Sequence, residues 1–151
     1  MKDLRWLAYM FATVFHETAQ TMQPIEEFGR GRGRAYGRPD PVTGQTYYGR
    51  GYVQLTWKAN YQTMGNLLGH DLVNHPELAL RADVAAAIMF EGMTTSLSLR
   101  GDFTGKSLED YFNDRTTDWV NARRIINGTD KASTIAGYAK QFYADLVAAQ
   151  A

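Results

Sequence analysis

The chain has 151 residues, of which 44% are hydrophobic and 13% aromatic. It is therefore long and apolar enough to bury one core, which argues against disorder. The chain has equal numbers of basic and acidic residues, 16 of each. It therefore has no large net charge that would attract it to nucleic acid or membranes. The lack of cysteine excludes disulfide bonds, a cysteine nucleophile and thiolate metal ligands. We predict one domain over residues 1–151, with no membrane insertion because no apolar run reaches roughly 20 residues.

The first predicted element is an amphipathic helix from Asp3 to about Gln20. Its apolar residues recur at helical spacing and predict a core-facing stripe. This stripe consists of Leu4, Leu7, Ala8, Phe11, Val14 and Phe15. Glu17 lies on a neighbouring ridge that borders the stripe. A half-buried carboxylate in this place is suited to general acid catalysis, and the alternative is a solvated glutamate near a helix end.

A long irregular segment follows, because Pro24 and seven glycines between positions 29 and 51 disfavour a helix. Within it, Val42–Tyr47 is predicted to form a small β-hairpin and Tyr52–Leu55 a short extended segment. The segment also concentrates positive charge. Its arginines are Arg30, Arg32, Arg34, Arg38 and Arg50.

The rest of the chain is predicted to be helical. Thr56 is expected to cap a helix of about Trp57–Leu68 that Gly69 ends, and Pro76 opens a short turn or helix. The remaining predicted segments are Asp83 to about Thr95, a segment capped by Ser107 with Asp110, Asp118–Ile126, and Lys131–Ala149. The predicted fold class is therefore mainly α, with a minimal β-hairpin.

Four sequence blocks, in this order, resemble glycoside hydrolase family 19. They are Phe15–Thr18, Glu27–Gly29, Tyr47–Trp57 and Ala122–Gly128, and the Tyr47–Trp57 block is the most specific. The chain is most similar to the short bacterial and phage members, and it lacks the cysteines of the plant enzymes. The resemblance implies a lysozyme-like fold in which two helical lobes flank a cleft. It also implies inverting hydrolysis of β-1,4 linkages between N-acetylated sugars, without cofactor or metal.

The resemblance assigns catalytic roles to three residues. Glu17 matches the general acid of the His-Glu motif. Glu27 matches the general base because it precedes an x-Gly pair, with Glu26 as the alternative base. Thr56 matches the hydroxyl that holds the attacking water, a role that is compatible with helix capping. An inverting enzyme separates its two carboxyl groups by roughly 6.5 to 9.5 Å to leave room for that water. One acid on a helix and one on a loop can provide such a gap.

Seven residues are predicted to bind the sugars. They are His16, Tyr48, Gln54, Trp57, Asn60, Arg124 and Asn127. Amide and guanidinium groups match acetamido and hydroxyl groups, and aromatic faces pack on sugar rings. Core packing is the alternative for Tyr48 and Trp57. A structural hydrogen bond beside the acid is the alternative for His16.

The arginine-rich segment favours peptidoglycan as the substrate, because this polymer carries carboxylates whereas chitin is neutral. We therefore expect a monomeric endolysin-type enzyme whose partner is bacterial cell-wall glycan. A chitinase acting on chitin oligomers is the alternative, and a non-catalytic wall-binding relative is another. No clear signal peptide is present, so we expect synthesis in the host cytoplasm and action at the wall, in the periplasm, after release.

Two other classes of protein fit the sequence less well. A zinc peptidase of the His-Glu-x-x-His type needs a second histidine where this chain has Gln20. The Gly-Arg run at 29–34 is typical of an RNA-binding segment, but it is one short run inside a neutral chain. We therefore expect neither a metal site nor a nucleic-acid partner.

Overall fold

The computed structural model of the protein describes residues 3–94 and 103–150. Its helices are α1 (Leu4–Glu17), α2 (Lys58–Leu68), α3 (Ala82–Met93), α4 (Leu108–Tyr111) and α5 (Ala132–Ala149). Its strands are β1 (Ile25–Glu26) and β2 (Arg50–Gly51), and short 3-10 helices span Ala35–Gly37, Pro76–Leu80 and Asn121–Ile125. The predicted class, mainly α with minimal β, is confirmed.

Helix α1 begins where the sequence predicts and ends earlier. The Asp3 carboxylate caps its first turn by accepting the backbone N–H of Arg5 at 2.9 Å. The helix ends at Glu17, because Ala19 and Gln20 adopt positive φ angles of 52° and 69°, which a right-handed helix does not allow. Glu17 therefore occupies the last turn of α1, directly before the chain changes direction.

The predicted core-facing stripe of α1 is confirmed only in part. Its members Ala8 and Val14 are buried, but Tyr9, Met10 and Thr13, which the predicted stripe leaves out, are fully buried as well. Phe11 and Phe15 are only partly buried and pack against aromatic rings of α5. Because α1 is covered on two faces, hydrophobicity alone did not identify the deeper one.

The β-structure is not the predicted hairpin at Val42–Tyr47. Strands β1 and β2 pair antiparallel, with Ile25 opposite Gly51 and Glu26 opposite Arg50. Residues 41–43 form a turn instead of a strand, because Asp40 accepts the backbone N–H groups of Val42 and Thr43 at 2.9 Å. The β-pair therefore closes the whole glycine-rich segment at its base.

The predicted extended segment Tyr52–Leu55 is also wrong, because it forms a tight turn. Gln54 adopts a positive φ of 57°, and the backbones of Arg50 and Leu55 exchange hydrogen bonds of 2.9 and 3.1 Å. The turn brings Gln54 and the residues after it back beside β1 and β2.

Most of the remaining helical predictions are confirmed, with one wrong cap and one segment, Asp118–Ile126, that is only a 3-10 helix over Asn121–Ile125. Helix α2 ends at Gly69, whose φ is 73°, as predicted. Its N-cap, however, is Trp57 at a φ of 76°, with no side-chain cap, so Thr56 is not the cap. Ser107 and Asp110 form the predicted capping box. The predicted end of α3, Thr95, lies outside the described residues.

The elements contact each other in two groups. The first group, here the α5 lobe, contains α1, α4, α5 and the 3-10 helix Asn121–Ile125. The second, here the β lobe, contains β1, β2, α2, α3 and the 3-10 helix Pro76–Leu80. In residues 3–94 and 103–150, no helix has the length and apolar character needed to cross a bilayer.

Candidate active site

A groove lined by both lobes collects most of the predicted site residues. It has two adjoining parts, of about 320 and 360 Å³, which share Glu17, Tyr36, Gln54 and Thr56. The first part also contacts Val53, Leu55, Trp57, Asn60, Phe103, Ile126 and Asn127. The second part also contacts Ile25, Glu27 and Phe28. The predicted acid, base and water-holding hydroxyl therefore line the same part of the groove.

Glu17 is fixed in the groove by an ion pair with Arg123. The Arg123 Nη1 donates to Glu17 Oε1 at 2.8 Å, and its Nε donates to the backbone oxygen of Asp130 at 2.9 Å. The Arg123 side chain is 3% exposed and that of Glu17 is 17% exposed. Because Arg123 is held at both ends, it fixes the orientation of the carboxylate. Glu17 Oε2 accepts no hydrogen bond from the described residues, and it is therefore the oxygen that can carry a transferable proton.

Glu27 is held by the backbone of the loop before β2 and by Tyr36. Its backbone N–H donates to the oxygen of Gly49 at 2.8 Å, and its Oε1 accepts the N–H of Gly49 at 2.7 Å. Its Oε2 accepts the Tyr36 hydroxyl at 3.1 Å. Burial, and after it the hydrogen bond to Glu27, raise the pKa of Tyr36, so Tyr36 is a donor at neutral pH. The carboxylate of Glu27 is therefore oriented although it follows a strand of only two residues.

The alternative base, Glu26, has different surroundings. It pairs with Arg30 at 2.8 Å, where the two side chains are 31% and 74% exposed. Successive side chains of a strand point to opposite faces, and Glu26 lines neither part of the groove. The geometry thus favours Glu27 as the base.

Thr56 presents a hydrogen-bond acceptor to the groove. Its Oγ1 donates to the backbone oxygen of Gln54 at 2.8 Å, so the hydroxyl proton is already used. The lone pairs of Oγ1 can then accept a hydrogen bond from a bound water. A water that donates to both Thr56 and Glu27 would be oriented for attack.

Four of the predicted sugar-binding residues line the groove. Trp57 is 50% exposed, and its ring lies 5.2 Å from that of Tyr36, so it offers an apolar surface to a sugar ring. Asn60 and Asn127 provide amides. The Gln54 amide donates to the backbone oxygens of two strand residues at 2.9 and 3.0 Å, so only its carbonyl oxygen is available to a ligand.

The structure does not bring the other three predicted residues, His16, Tyr48 and Arg124, to the groove. Tyr48 is 8% exposed, with the guanidinium of Arg50 3.8 Å from the centre of its ring, which is the core-packing alternative. Arg124 is exposed and its Nε donates to Asn121 Oδ1 at 3.4 Å. The sugar-binding role predicted for these three residues therefore finds no support in the lining of the groove.

The sequence interpretation missed two residues of the site, Arg123 and Tyr36. Arg123 lies between the buried Ala122 and the exposed Arg124, and no sequence signal distinguishes it from the adjacent arginine. Tyr36 lies between glycines and arginines, where no periodicity marks an inward side chain. Both residues act through the carboxylates that they contact.

No group of three or more His, Asp or Glu side chains in the described ranges is arranged to hold a metal ion. The site consists of two carboxylates, a hydroxyl, amides and an exposed indole. These groups suit acid–base chemistry on a polar polymer.

Comparison with known proteins identifies relatives that match most of the chain. The family model described as chitinase class I, glycoside hydrolase family 19, matches residues 32–103. Chitinase 11 of Oryza sativa subsp. japonica is 35% identical over 91% of this chain and 60% of its own length. The acidic endochitinase SP2 of Beta vulgaris is 32% identical over 93% of this chain and 49% of its own. The chain therefore spans about half of the length of these two relatives.

Solved structures show the same fold. Chitinase C from Streptomyces griseus superposes with a TM-score of 0.61 and 24% identity, over 91% of this chain and 58% of its own. A bacterial family 19 chitinase superposes with a TM-score of 0.60 and 24% identity, over 92% of this chain and 72% of its own. The predicted lysozyme-like, two-lobed helical fold is confirmed. The sequence and structure matches also confirm the resemblance predicted from the four blocks: the chain is similar to chitinases of glycoside hydrolase family 19.

Proposed function

We propose that the protein is a glycoside hydrolase that cleaves β-1,4 bonds between N-acetylglucosamine units of chitin-type chains with inversion. The observation that carries this proposal is that Glu17, Glu27 and Thr56 line one part of one groove. The relatives named above, which are chitinases and endochitinases, support an uncharged N-acetylated glycan as the substrate.

The reaction assigns one proton movement to each carboxyl group. Glu17, protonated on Oε2, donates its proton to the glycosidic oxygen as the bond to the anomeric carbon breaks. Arg123 meanwhile holds Oε1 and stabilises the carboxylate that forms. Glu27 removes a proton from the water that Thr56 orients, and the water oxygen bonds to the anomeric carbon from the opposite face. The overall step consumes one water and yields two shorter sugar chains.

Mass analysis of the products from N-acetylglucosamine hexamer tests this proposal. We expect shorter oligomers, with one new reducing end for each bond cleaved, from the wild-type chain and none from Glu17→Gln. An intact hexamer after incubation with folded wild-type protein would contradict the proposed function.

We propose bacterial cell-wall glycan as a second candidate substrate. The observation in its favour is the set of exposed arginines near the Glu27 end of the groove. Arg32, Arg34 and Arg38 make no side-chain hydrogen bond or ion pair with a described residue, so they can meet carboxylates of the substrate. In this case the protein would act as a monomeric endolysin-type enzyme at the wall, after release from the cytoplasm. Reducing ends released from purified peptidoglycan would support this candidate.

A further inference from the structure

A second cavity, here the outer pocket, adjoins the groove and has no part in the mechanism above. Its volume is about 320 Å³, and it is bounded by Tyr36, Trp57, residues 38–41, Tyr47 and Lys58. Tyr36 and Trp57 border both this pocket and the groove. Their rings, 5.2 Å apart, therefore form a shared rim between the two cavities.

The charges of the outer pocket leave one cation without a partner. Asp40 is the one carboxylate in its lining, and both of its oxygens are in use. Oδ1 accepts the backbone N–H groups of Val42 and Thr43 at 2.9 Å, and Oδ2 accepts Lys58 Nζ at 3.0 Å. Arg38, in contrast, is exposed and makes no side-chain hydrogen bond or ion pair with a described residue. The pocket thus carries a net positive charge located on a guanidinium.

The shape of the rim connects this charge to a glycan in the groove. Trp57 is half exposed, so a sugar ring that packs on it has substituents within reach of either cavity. The outer pocket combines the apolar surfaces of Pro39, Pro41 and Tyr47 with one guanidinium. That combination suits a short chain ending in a carboxylate, and a guanidinium binds a carboxylate with two parallel hydrogen bonds. A neutral glycan has no carboxylate that could pair with this guanidinium.

We infer that the outer pocket binds a carboxylate-bearing peptide substituent attached to the glycan, as in the peptide-substituted sugars of a bacterial wall, and that Arg38 is its anion-binding residue. The inference rests on the proposed glycosidase function, and it favours the second candidate substrate, bacterial cell-wall glycan, over unsubstituted chitin-type chains. The groove cleaves the N-acetylated backbone, and the outer pocket selects chains whose sugars carry an acidic side branch.

Calorimetric titration of the full chain carrying Glu17→Gln, which prevents turnover, tests this inference. The two ligands are an N-acetylglucosamine tetramer and a wall-glycan tetramer with acidic peptides. We expect the acidic tetramer to bind about tenfold more tightly, because a charge-assisted hydrogen bond adds that much. Adding Arg38→Gln should abolish this advantage and leave the affinity for the neutral tetramer within twofold.

Arg115→Gln is the matched control, because it removes the same charge from an exposed arginine that lines neither the outer pocket nor the groove. It should preserve most of the advantage. Equal affinity for the two tetramers, or an advantage that survives Arg38→Gln, would overturn the inference. So would Arg38-dependent binding of the free acidic peptide as tight as that of the substituted glycan.

The inference and the proposed function fail in separate ways. If the wild-type chain cleaves neither glycan, the proposed function fails, whereas the titration still measures the outer pocket. If the wild-type chain cleaves both glycans and Arg38→Gln does not alter the relative affinity, the inference alone fails.

Discussion

The two carboxylates of the groove are held by different kinds of contact. Glu17 depends on a side chain, Arg123, that is 106 residues away in the sequence. Glu27 depends on the backbone of Gly49 and on Tyr36, which is 9 residues away. The proposed acid is therefore positioned by the packing of the α5 lobe, whereas the proposed base is positioned by the loop that the β-pair closes. Substitutions in the two regions should have separable effects on stability and on turnover.

The largest expected effect follows from removing the acid. Glu17→Gln keeps the shape of the side chain and can still accept a hydrogen bond from Arg123, but it has no proton to donate. We expect turnover of the hexamer to fall by about 10³-fold or more. A circular dichroism melt should show a folded protein. Substantial activity in this variant would remove Glu17 from its role.

The next largest effect is expected for Glu27, in comparison with its neighbour Glu26. Glu27→Gln should lower kcat by about 10²- to 10⁴-fold, because general base catalysis contributes in this range. Glu26→Gln is the matched control, and it removes only an exposed ion pair with Arg30. Its kcat should stay within about twofold of wild type. The reverse ranking of the two variants would make Glu26 the base.

Removing the partner of the acid should affect both stability and turnover. Arg123→Met leaves the Glu17 carboxylate and the Asp130 backbone oxygen without their donor. We expect the free energy of unfolding to fall by about 2 to 4 kcal/mol, because one partner of a mostly buried pair is lost. Arg124→Met, next to it and exposed, should change the free energy of unfolding by less than about 0.5 kcal/mol.

A double-mutant cycle identifies the contact that is responsible. On a Glu17→Gln background, Arg123→Met should cost less than it does in wild type, because the unpaired charge is absent. Equal costs on both backgrounds would show that the ion pair does not couple the two residues. Urea unfolding provides the four free energies.

A smaller effect is expected for the hydroxyl that orients water. Thr56→Val removes the acceptor and keeps the volume, so kcat should fall by about ten- to thirtyfold, the value of one lost hydrogen bond of about 1.5 to 2 kcal/mol. Thr56→Ser keeps the hydroxyl and should retain most of the activity. If Val and Ser variants are equally active, Thr56 does not hold the water.

The smallest effect concerns a carboxylate outside the groove. The backbone N–H of Thr43 and, after it, Lys58 lower the pKa of Asp40 to about 2, below the value of about 3.9 in an unfolded chain. A lowered pKa stabilises the folded state above about pH 4, and this contribution is lost as the pH falls through about 2. In melts from pH 2 to 7, Asp40→Asn should therefore be less stable than wild type above pH 4, with the gap closing toward pH 2. A constant gap would contradict this assignment.

The sequence predicted the fold best where the signal is local. The end of α2 at Gly69 and the box of Ser107 and Asp110 are determined by neighbouring residues, and both are confirmed. The β-pair was misplaced because its strands are two residues long and 24 residues apart, from Glu26 to Arg50. Neither strand is long enough to show an alternating pattern.

The site was predicted through its motifs, and the supporting contacts were not. Glu17, Glu27 and Thr56 lie in recognisable blocks, and the structure brings them to one groove. Arg123 was missed in favour of its neighbour Arg124, because only tertiary packing decides which of two adjacent arginines is buried. Tyr36 was missed because it lies in an irregular loop, where no periodic pattern indicates that its hydroxyl contacts Glu27.

The configuration of the first product tests the central claim most directly. If Glu17 and Glu27 act as acid and base on opposite sides of the scissile bond, water attacks opposite the leaving group, and the β-linked hexamer yields an α-anomer. Proton NMR of the reaction in its first minutes, before mutarotation, should show the α-anomeric signal in excess at the new reducing ends. Initial release of the β-anomer would mean retention, and it would contradict the assignment of Glu27 as the base that activates water.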